Sequence, residues 1–330
     1  SHIEKCRADA EMAFKLDNEL AEASVALGFY NYYCIGNNYE ALTHFGRASE
    51  LAPARYQPLF YLAMVYRKMG SWDRSQELIR KVIAEDPRDA LVLLNIGISY
   101  AYIHSLDTAI TFFQKATQAM PDWSGPYTSL LETLLMKDGN TMRAREVLDT
   151  VIVRTGEKQK YYQVLLDIYD RKYESALEKV LESQDADYGF PGLRYLMTGL
   201  AYSFTDNILM TRTYYDSALV LYKRLIIENP EDWYSYSCCG LAYAGLGDKT
   251  DAELTGKTAV ELAGDDNLVK NDMISNLAKI HAMNGDWANA VREVKYLLIN
   301  PSWFSAGMLK IDPAWGNLAD EPEIRSLFRK

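Results

Sequence analysis

The chain has few of the residues that most often carry out chemistry in proteins. It contains only four cysteines and four histidines among 330 residues. The cysteines, of which two are adjacent, have neither the spacing of zinc ligands nor that of a disulfide framework: Cys6, Cys34, Cys238 and Cys239. The histidines are equally scattered: His2, His44, His104 and His281. We therefore expect no metal site.

Catalytic motifs are also missing. No glycine-rich phosphate loop follows a strand, because no segment has the alternation of a convincing strand. No serine or cysteine occupies a strand-to-helix turn of the kind that exposes a nucleophile. The carboxylate pair Asp265 and Asp266 is expected in a solvated loop. The sequence predicts a protein without catalytic residues or cofactors, and therefore not an enzyme.

Positive charge is in deficit, with 35 Lys and Arg against 45 Asp and Glu and a net charge of -10. A phosphate backbone is bound by a basic face, so nucleic acid is not expected as a partner. The uncharged and mostly apolar run of residues 90–106 is interrupted by Asn95, Ser99 and His104. We interpret it as a buried helix and not as a membrane span. No signal peptide opens the sequence, and the cytoplasm is the expected compartment.

What the chain does contain is helical periodicity. In residues 90–123 the apolar and small residues recur at intervals of three, four and seven, which stack on one face of a helix. They form two groups separated by a polar turn: Leu93, Ile96, Gly97 and Tyr100, then Ala109, Phe113, Ala116 and Pro121. The pattern predicts two packed helices with small residues where they cross.

The same pattern occurs in other parts of the chain. It is regular in residues 56–89, in 233–266 and from 271 onward, and weaker in 124–157 and 161–180. A single hairpin cannot bury its apolar seam, whereas a stack of hairpins can. We predict an all-α array of about eight hairpins. The first complete repeat contains one extra residue near 35–38.

This set of recurring positions resembles the tetratricopeptide repeat. The resemblance implies a right-handed α-α superhelix that binds a protein or peptide on its concave side. Family positions carried over onto this sequence predict a partner-binding groove, called here the N-terminal groove: Phe29, Tyr32, Tyr33, Phe60, Met64, Arg67, Lys68, Leu94, Ile98 and Tyr102. Because Arg67 and Lys68 form a small basic spot, the expected occupant is an apolar segment with an acidic flank.

Five parts of the chain are expected. Residues 1–19 are read as the second helix of a truncated repeat, 20–183 as an N-terminal arm and 184–192 as a loop or hinge. Residues 193–302 form a C-terminal arm. Residues 303–330 are a capping tail, because a terminal repeat otherwise exposes an apolar face.

The tail carries a further resemblance. It is similar to the end of repeat arrays in bacterial proteins whose upstream part is often a signalling domain, frequently with a TolB-like segment. The matching residues are Leu309, Asp312, Pro313, Trp315, Leu318, Pro322, Ile324 and Leu327. The resemblance implies that the chain is the C-terminal part of a larger bacterial regulatory protein.

We therefore predict a non-enzymatic module that binds a protein or peptide partner. Two alternatives remain. In the first, the array serves self-association, as a homodimer or by docking on its own upstream domain. In the second, it is a small-ligand sensor, since five aromatic residues cluster in the irregular middle repeats: Tyr161, Tyr162, Tyr188, Phe190 and Tyr195.

Overall fold

The computed structural model describes residues 2–205 and 207–327, without the side chains of residues 2, 3, 4, 6 and 327. The Cys6 and Leu327 side chains and the last three residues of the predicted tail therefore lie outside the described part of the chain.

The fold is an all-α, right-handed superhelix of the tetratricopeptide type, and no β-strand occurs in the part described. One unpaired helix, α1 (His2–Leu16), precedes eight hairpins. The first four hairpins are α2 (Ala21–Phe29) with α3 (Asn38–Leu51), α4 (Gln57–Lys68) with α5 (Trp72–Ala84), α6 (Ala90–Tyr102) with α7 (Leu106–Ala119), and α8 (Ser124–Asp138) with α9 (Met142–Thr155).

The other four hairpins are α10 (Lys160–Tyr169) with α11 (Tyr173–Glu182), α12 (Leu193–Ser203) with α13 (Ile208–Glu228), α14 (Trp233–Leu246) with α15 (Lys249–Leu262), and α16 (Asn267–Met283) with α17 (Trp287–Ile299). Two short helices, α18 (Ala306–Ile311) and α19 (Pro322–Leu327), belong to the tail. The number of hairpins agrees with the sequence pattern.

The small residues lie where the sequence places them, at the crossings of paired helices. A Cβ atom on Gly97 of α6 would lie 2.5 Å from Cε1 of Phe113 on α7. The same contact recurs in the first hairpin, where a Cβ on Gly28 would lie 2.5 Å from the Phe45 ring. An aromatic ring of the second helix therefore packs against the bare backbone of the first.

Aspartates begin many of the helices by accepting hydrogen bonds from first-turn amides. These N-caps are Asp89, Asp232, Asp248, Asp266 and Asp286. The role of Asp266 differs from the solvated position expected from sequence. It starts α16 at Asn267, four residues before the periodic pattern, and its carboxylate lies 3.4 Å from Nζ of Lys68.

The extra residue of the first repeat is accommodated within the helix. Residues Tyr30–Ile35 continue α2 as a π-helix, and the Asn37 amide donates to the Asn31 carbonyl at 3.0 Å. Gly36 then ends the segment with a φ of 73°, as the predicted left-handed turn requires. The wider turn changes the direction of the adjacent tyrosines, with Tyr32 buried and Tyr33 exposed.

The two ends of the array meet. The Trp72 indole Nε1 donates to Oδ1 of Asn267 at 3.3 Å, although the two residues are 195 positions apart in sequence. The bond from Trp72 joins α5 to α16, and the nearby Lys68–Asp266 ion pair joins the end of α4 to the start of α16. The superhelix therefore encloses a hollow interior instead of leaving an open trough.

The tail covers the last hairpin and also contacts helices on the other side of the interior. Its residues Phe304, Leu309 and Trp315 are buried in one cluster with side chains of α16 and α17. Before that, the Ser302 amide donates to the Tyr102 carbonyl of α6 at 2.8 Å. The Ser305 hydroxyl donates to the Met136 carbonyl of α8 at 2.7 Å. This C-terminal segment is thus hydrogen-bonded to the N-terminal arm and packed against the C-terminal arm.

The predicted loop at residues 184–192 contains a short 3-10 helix, Asp185–Tyr188. Tyr188 is 4% exposed, and its hydroxyl lies 2.9 Å from that of Ser183. Gly189 and Gly192 have positive φ values of 73° and 77°. The segment is anchored to its neighbours, and its role as a hinge stays a prediction.

Replacing Gly97 by Ala should lower the free energy of unfolding by about 1–3 kcal/mol, because the new methyl group overpacks against Phe113. Gly46→Ala is the matched control, since a Cβ at Gly46 meets nothing within 4 Å. The control should raise stability by about 0.5–1 kcal/mol through helix propensity. Urea unfolding of both variants measures the two effects, and equal changes would contradict this packing.

Gly307→Ala should loosen the tail. A Cβ at Gly307 would lie 2.3 Å from the Met136 carbonyl oxygen, a backbone atom that cannot rotate away. Hydrogen exchange of the Ser302 amide should accelerate, while amides in the middle of α3 serve as the internal control. Unchanged exchange at Ser302 would show that the tail does not depend on this contact.

Candidate functional site

The structure brings the predicted groove residues together on the first helices of three neighbouring hairpins, but it leaves few of them accessible. Six of the ten are at most 9% exposed: Tyr32, Phe60, Met64, Arg67, Leu94 and Tyr102. Phe29, Lys68 and Ile98 are half-buried. Tyr33 alone is well exposed, at 66%. The expected open groove is therefore closed over most of its length.

The chain itself closes the inner end of the groove. The Tyr102 ring stacks on Trp72 with centroids 5.5 Å apart, and the Trp303 ring of the tail packs against it, also at 5.5 Å. Trp303 belongs to the same apolar cluster as Phe60, Met64 and Leu94. No partner reaches Tyr102 while the tail is in place.

The two basic residues expected to attract an acidic flank are also engaged in contacts within the chain. Arg67 is 4% exposed and donates to the Asn95 carbonyl at 3.0 Å and to the Ser99 hydroxyl at 2.9 Å. Burial lowers its pKa. Lys68 pairs with Asp266, and its Nζ lies 4.7 Å from the centre of the Tyr32 ring. The expectation of an acidic flank is therefore not supported by this geometry.

The outer end of the groove remains open. The exposed Tyr33 ring stacks on Phe29 at 5.9 Å with the ring planes 14° apart. Phe29 in turn packs edge-on against Tyr61 at 4.6 Å. Tyr61, Val25 and Pro58 line an adjoining hollow of about 370 Å³ between α2 and α4. We call these five residues the open aromatic surface.

The groove predicted from the sequence included Phe29 and Tyr33 but not Pro58 and Tyr61, which lie between the family positions. The rim of the hollow carries one ion pair, with Arg55 2.6 Å from Glu22. Since the two charges neutralise each other, the surface is apolar with no net charge at its edge.

The aromatic residues proposed for a small-ligand sensor separate in the structure. Tyr161 and Phe190 line a second cavity, of about 320 Å³, in the C-terminal half of the interior. The Tyr162 hydroxyl instead donates to Glu132 at 2.7 Å. Tyr188, the last residue of the 3-10 helix, is buried. The Arg194 guanidinium covers the Tyr195 ring, with its Cζ atom 5.2 Å from the ring centre.

The described residues contain no group of three His, Cys, Asp or Glu side chains placed to hold a metal ion. Among the same residues, no helix has the length and apolar character needed to cross a membrane. Burial raises the pKa of Cys238 to about 12 and that of Cys239 to about 11. Both thiols are therefore protonated at neutral pH and poor nucleophiles.

Comparison with known proteins supports the fold. Residues 60–122, about a fifth of the chain, match the sequence model of the tetratricopeptide repeat. No curated protein sequence matches the chain. A human IFIT1 dimer with m7Gppp-AAAA has a similar structure, with a TM-score of 0.52, 14% identity, and coverage of 99% of this chain and 79% of IFIT1.

Two further structures were compared. The APC/C hetero-tetramer Cut9-Hcn1 has a TM-score of 0.48 and 13% identity, covering 99% of this chain; the chain spans only 60% of the matched chain in that complex. A tetratricopeptide repeat protein from Parabacteroides merdae has a TM-score of 0.35 and 14% identity over 94% of this chain and 97% of its own. The eight hairpins and the match over residues 60–122 show that the chain folds as a tetratricopeptide-type solenoid, a fold whose common use is protein interaction.

Proposed function

We propose that this chain is a non-enzymatic interaction module that binds an apolar segment of a partner protein on the open aromatic surface. One observation carries the proposal: Tyr33 is 66% exposed and held by a stack on Phe29, and Phe29 packs against Tyr61, which lines an apolar hollow of about 370 Å³. Binding energy in protein interfaces is concentrated in such aromatic anchors next to apolar pockets.

The stack makes Tyr33 suitable for binding. A ring already fixed by a neighbour loses little conformational entropy when a partner covers it. Its hydroxyl remains free for a hydrogen bond at the edge of the contact. Because the rim pair Arg55–Glu22 is self-neutralising, the occupant that fits is an uncharged, leucine- or aromatic-rich segment.

The charges of the interior favour protein over nucleic acid. Arg67 and Lys68 are engaged within the chain, and Lys279 lies 2.6 Å from Asp312. Asp272 on α16 is exposed, but desolvation by the chain around it and the carboxylates of Glu132 and Asp266 raise its pKa to about 7. An interior with close carboxylates and paired cations repels a phosphate backbone.

The tail motif supports a place for the chain at the C-terminal end of a larger bacterial regulatory protein in the cytoplasm. Its matching residues have structural roles here: Asp312 caps the following turn through the Ala314 amide at 2.9 Å, and Trp315 is 2% exposed. An array that ends in such a cap presents its other surfaces to partners.

Peptides selected from a random display library on the wild-type chain should be rich in leucine and aromatic residues. Tyr33→Ala should weaken their binding about tenfold or more, because an anchor is lost. Tyr39→Ala is the control, since Tyr39 is 72% exposed but lies on α3 outside the open aromatic surface. Equal loss in both variants, or a selection without enrichment, would contradict the proposal. Concentration-dependent mass of the free chain would instead point to self-association.

Variants in the buried and in the open part of the groove should differ in how much unfolding free energy they lose. Phe60→Ala removes a ring that is 2% exposed and should cost about 3–5 kcal/mol of unfolding free energy. Tyr33→Ala should cost less than about 1 kcal/mol, since the ring that it removes is 66% exposed and contacts Phe29 and Tyr32 from the surface. Denaturant titration of the two variants checks the difference, and similar costs would show that Phe60 also faces solvent.

Asp272→Asn should stabilise the chain in a pH-dependent way. The folded carboxyl keeps its proton up to about pH 7, against an ordinary pKa of 3.8, so wild-type stability falls as the pH rises between these values. Asparagine does not ionise, and the advantage of the variant should grow from pH 4 to pH 8. Melting temperatures at both pH values test this, with the exposed Asp122→Asn as control. An advantage independent of pH would contradict it.

A further inference from the structure

A cavity lies in the C-terminal half of the interior, apart from the open aromatic surface. It is the cavity of about 320 Å³ bounded by α10, α12, α14 and α16 and closed on one side by Asp312 and Ala314 of the tail. We call it the tyrosine cavity. Phe190, 54% exposed and stacked on Tyr234 at 4.7 Å, marks its contact with solvent.

One wall of the tyrosine cavity is a helical stripe. Tyr161, Leu165 and Tyr169 are spaced four residues apart on α10 and therefore lie on one face of that helix. The opposite walls are mostly apolar, and Met197 of α12 is 5% exposed among them. Such a lining favours a largely apolar occupant.

The tyrosine hydroxyls provide polar groups in this apolar wall. The hydroxyl groups of Tyr161 and Tyr169 form no hydrogen bond with any described residue of the chain. Burial raises the pKa of both, so the hydroxyls stay protonated and can donate. A polar group without a partner in an enclosed apolar site is satisfied by a ligand or by water.

The charged groups of the cavity neutralise each other. Lys279 Nζ lies 2.6 Å from Asp312 Oδ2 and 5.4 Å from the centre of the Trp315 ring. Asp312 also accepts the Ala314 amide at 2.9 Å. A charged occupant would have to displace one member of this pair and leave the other buried without a counter-charge, which is costly.

From this geometry we infer that the tyrosine cavity binds a compact, uncharged, largely apolar molecule that carries a hydrogen-bond acceptor. The apolar body packs against α10 and α12, and the acceptor receives a hydrogen bond from Tyr161 or Tyr169. Since the tail forms one wall, the bound molecule also connects the C-terminal arm to the tail. The inference is independent of the partner segment proposed for the open aromatic surface.

Acetophenone is a suitable probe, because it joins an aromatic ring to one carbonyl acceptor. Benzoate and benzylammonium have similar size and opposite charges. Titrations followed by calorimetry and by melting temperature should show saturable binding of acetophenone to the full chain with a rise in melting temperature. The two charged analogues should bind at least about tenfold more weakly.

Two kinds of variant locate the site. Leu165→Trp fills the cavity between the two tyrosines and should abolish binding, whereas Leu254→Trp, at a position 62% exposed on α15, should leave it unchanged. Tyr161→Phe with Tyr169→Phe keeps the cavity shape and should weaken acetophenone about threefold to tenfold, as expected for one lost hydrogen bond. The phenylalanine variant serves as the test should the tryptophan variant fail to fold.

Absence of saturable binding, binding retained in Leu165→Trp, or affinity unaffected by the phenylalanine changes would overturn the inference. So would tighter binding of N-acetyl-phenylalanine amide than of acetophenone, with the same variants blocking it, since the cavity would then hold a partner's side chain. Tyr33→Ala should bind acetophenone like the wild type. Failure of peptide selection and failure of acetophenone binding therefore report on different sites.

Discussion

The architecture depends on the close approach of paired helices through glycine. In the first and third hairpins an aromatic ring of the second helix occupies the space where a Cβ of the first helix would be, as between Gly28 and Phe45 and between Gly97 and Phe113. The sixth hairpin repeats the arrangement with Gly199 and a Tyr ring. Small residues at the crossings let paired helices approach closely, and hairpins of this kind stack in succession to generate the superhelix.

A regular superhelix alone would leave its concave side open, and the C-terminal segment changes that result. Ser302 and Ser305 donate to backbone carbonyls of α6 and α8, and the residues that follow pack on α16 and α17. Lys68 of α4 and Trp72 of α5 join the second hairpin to the start of α16. The interior is thereby divided into an open aromatic end near α2, a closed middle, and the tyrosine cavity.

This division connects structure to function. A side chain that is fixed and still exposed, such as Tyr33, can anchor a partner at small entropic cost. A side chain that is buried by its own chain, such as Phe60, contributes to stability instead. The same distinction applies to charged side chains. Arg67 donates hydrogen bonds to Asn95 and Ser99, which links the second hairpin to the third, so its donors are not available to a ligand.

The sequence by itself determined the helices, their pairing into eight hairpins and the small residues at their crossings, because these follow from local periodicity and steric contact. Only the tertiary structure decided that Phe60, Met64 and Tyr102 are buried and Tyr33 exposed, and that Asp266 caps α16 while pairing with Lys68. Contacts such as Trp72 with Asn267 join residues 195 positions apart, and a repeat pattern records neighbours within one or two repeats but no closure between the ends.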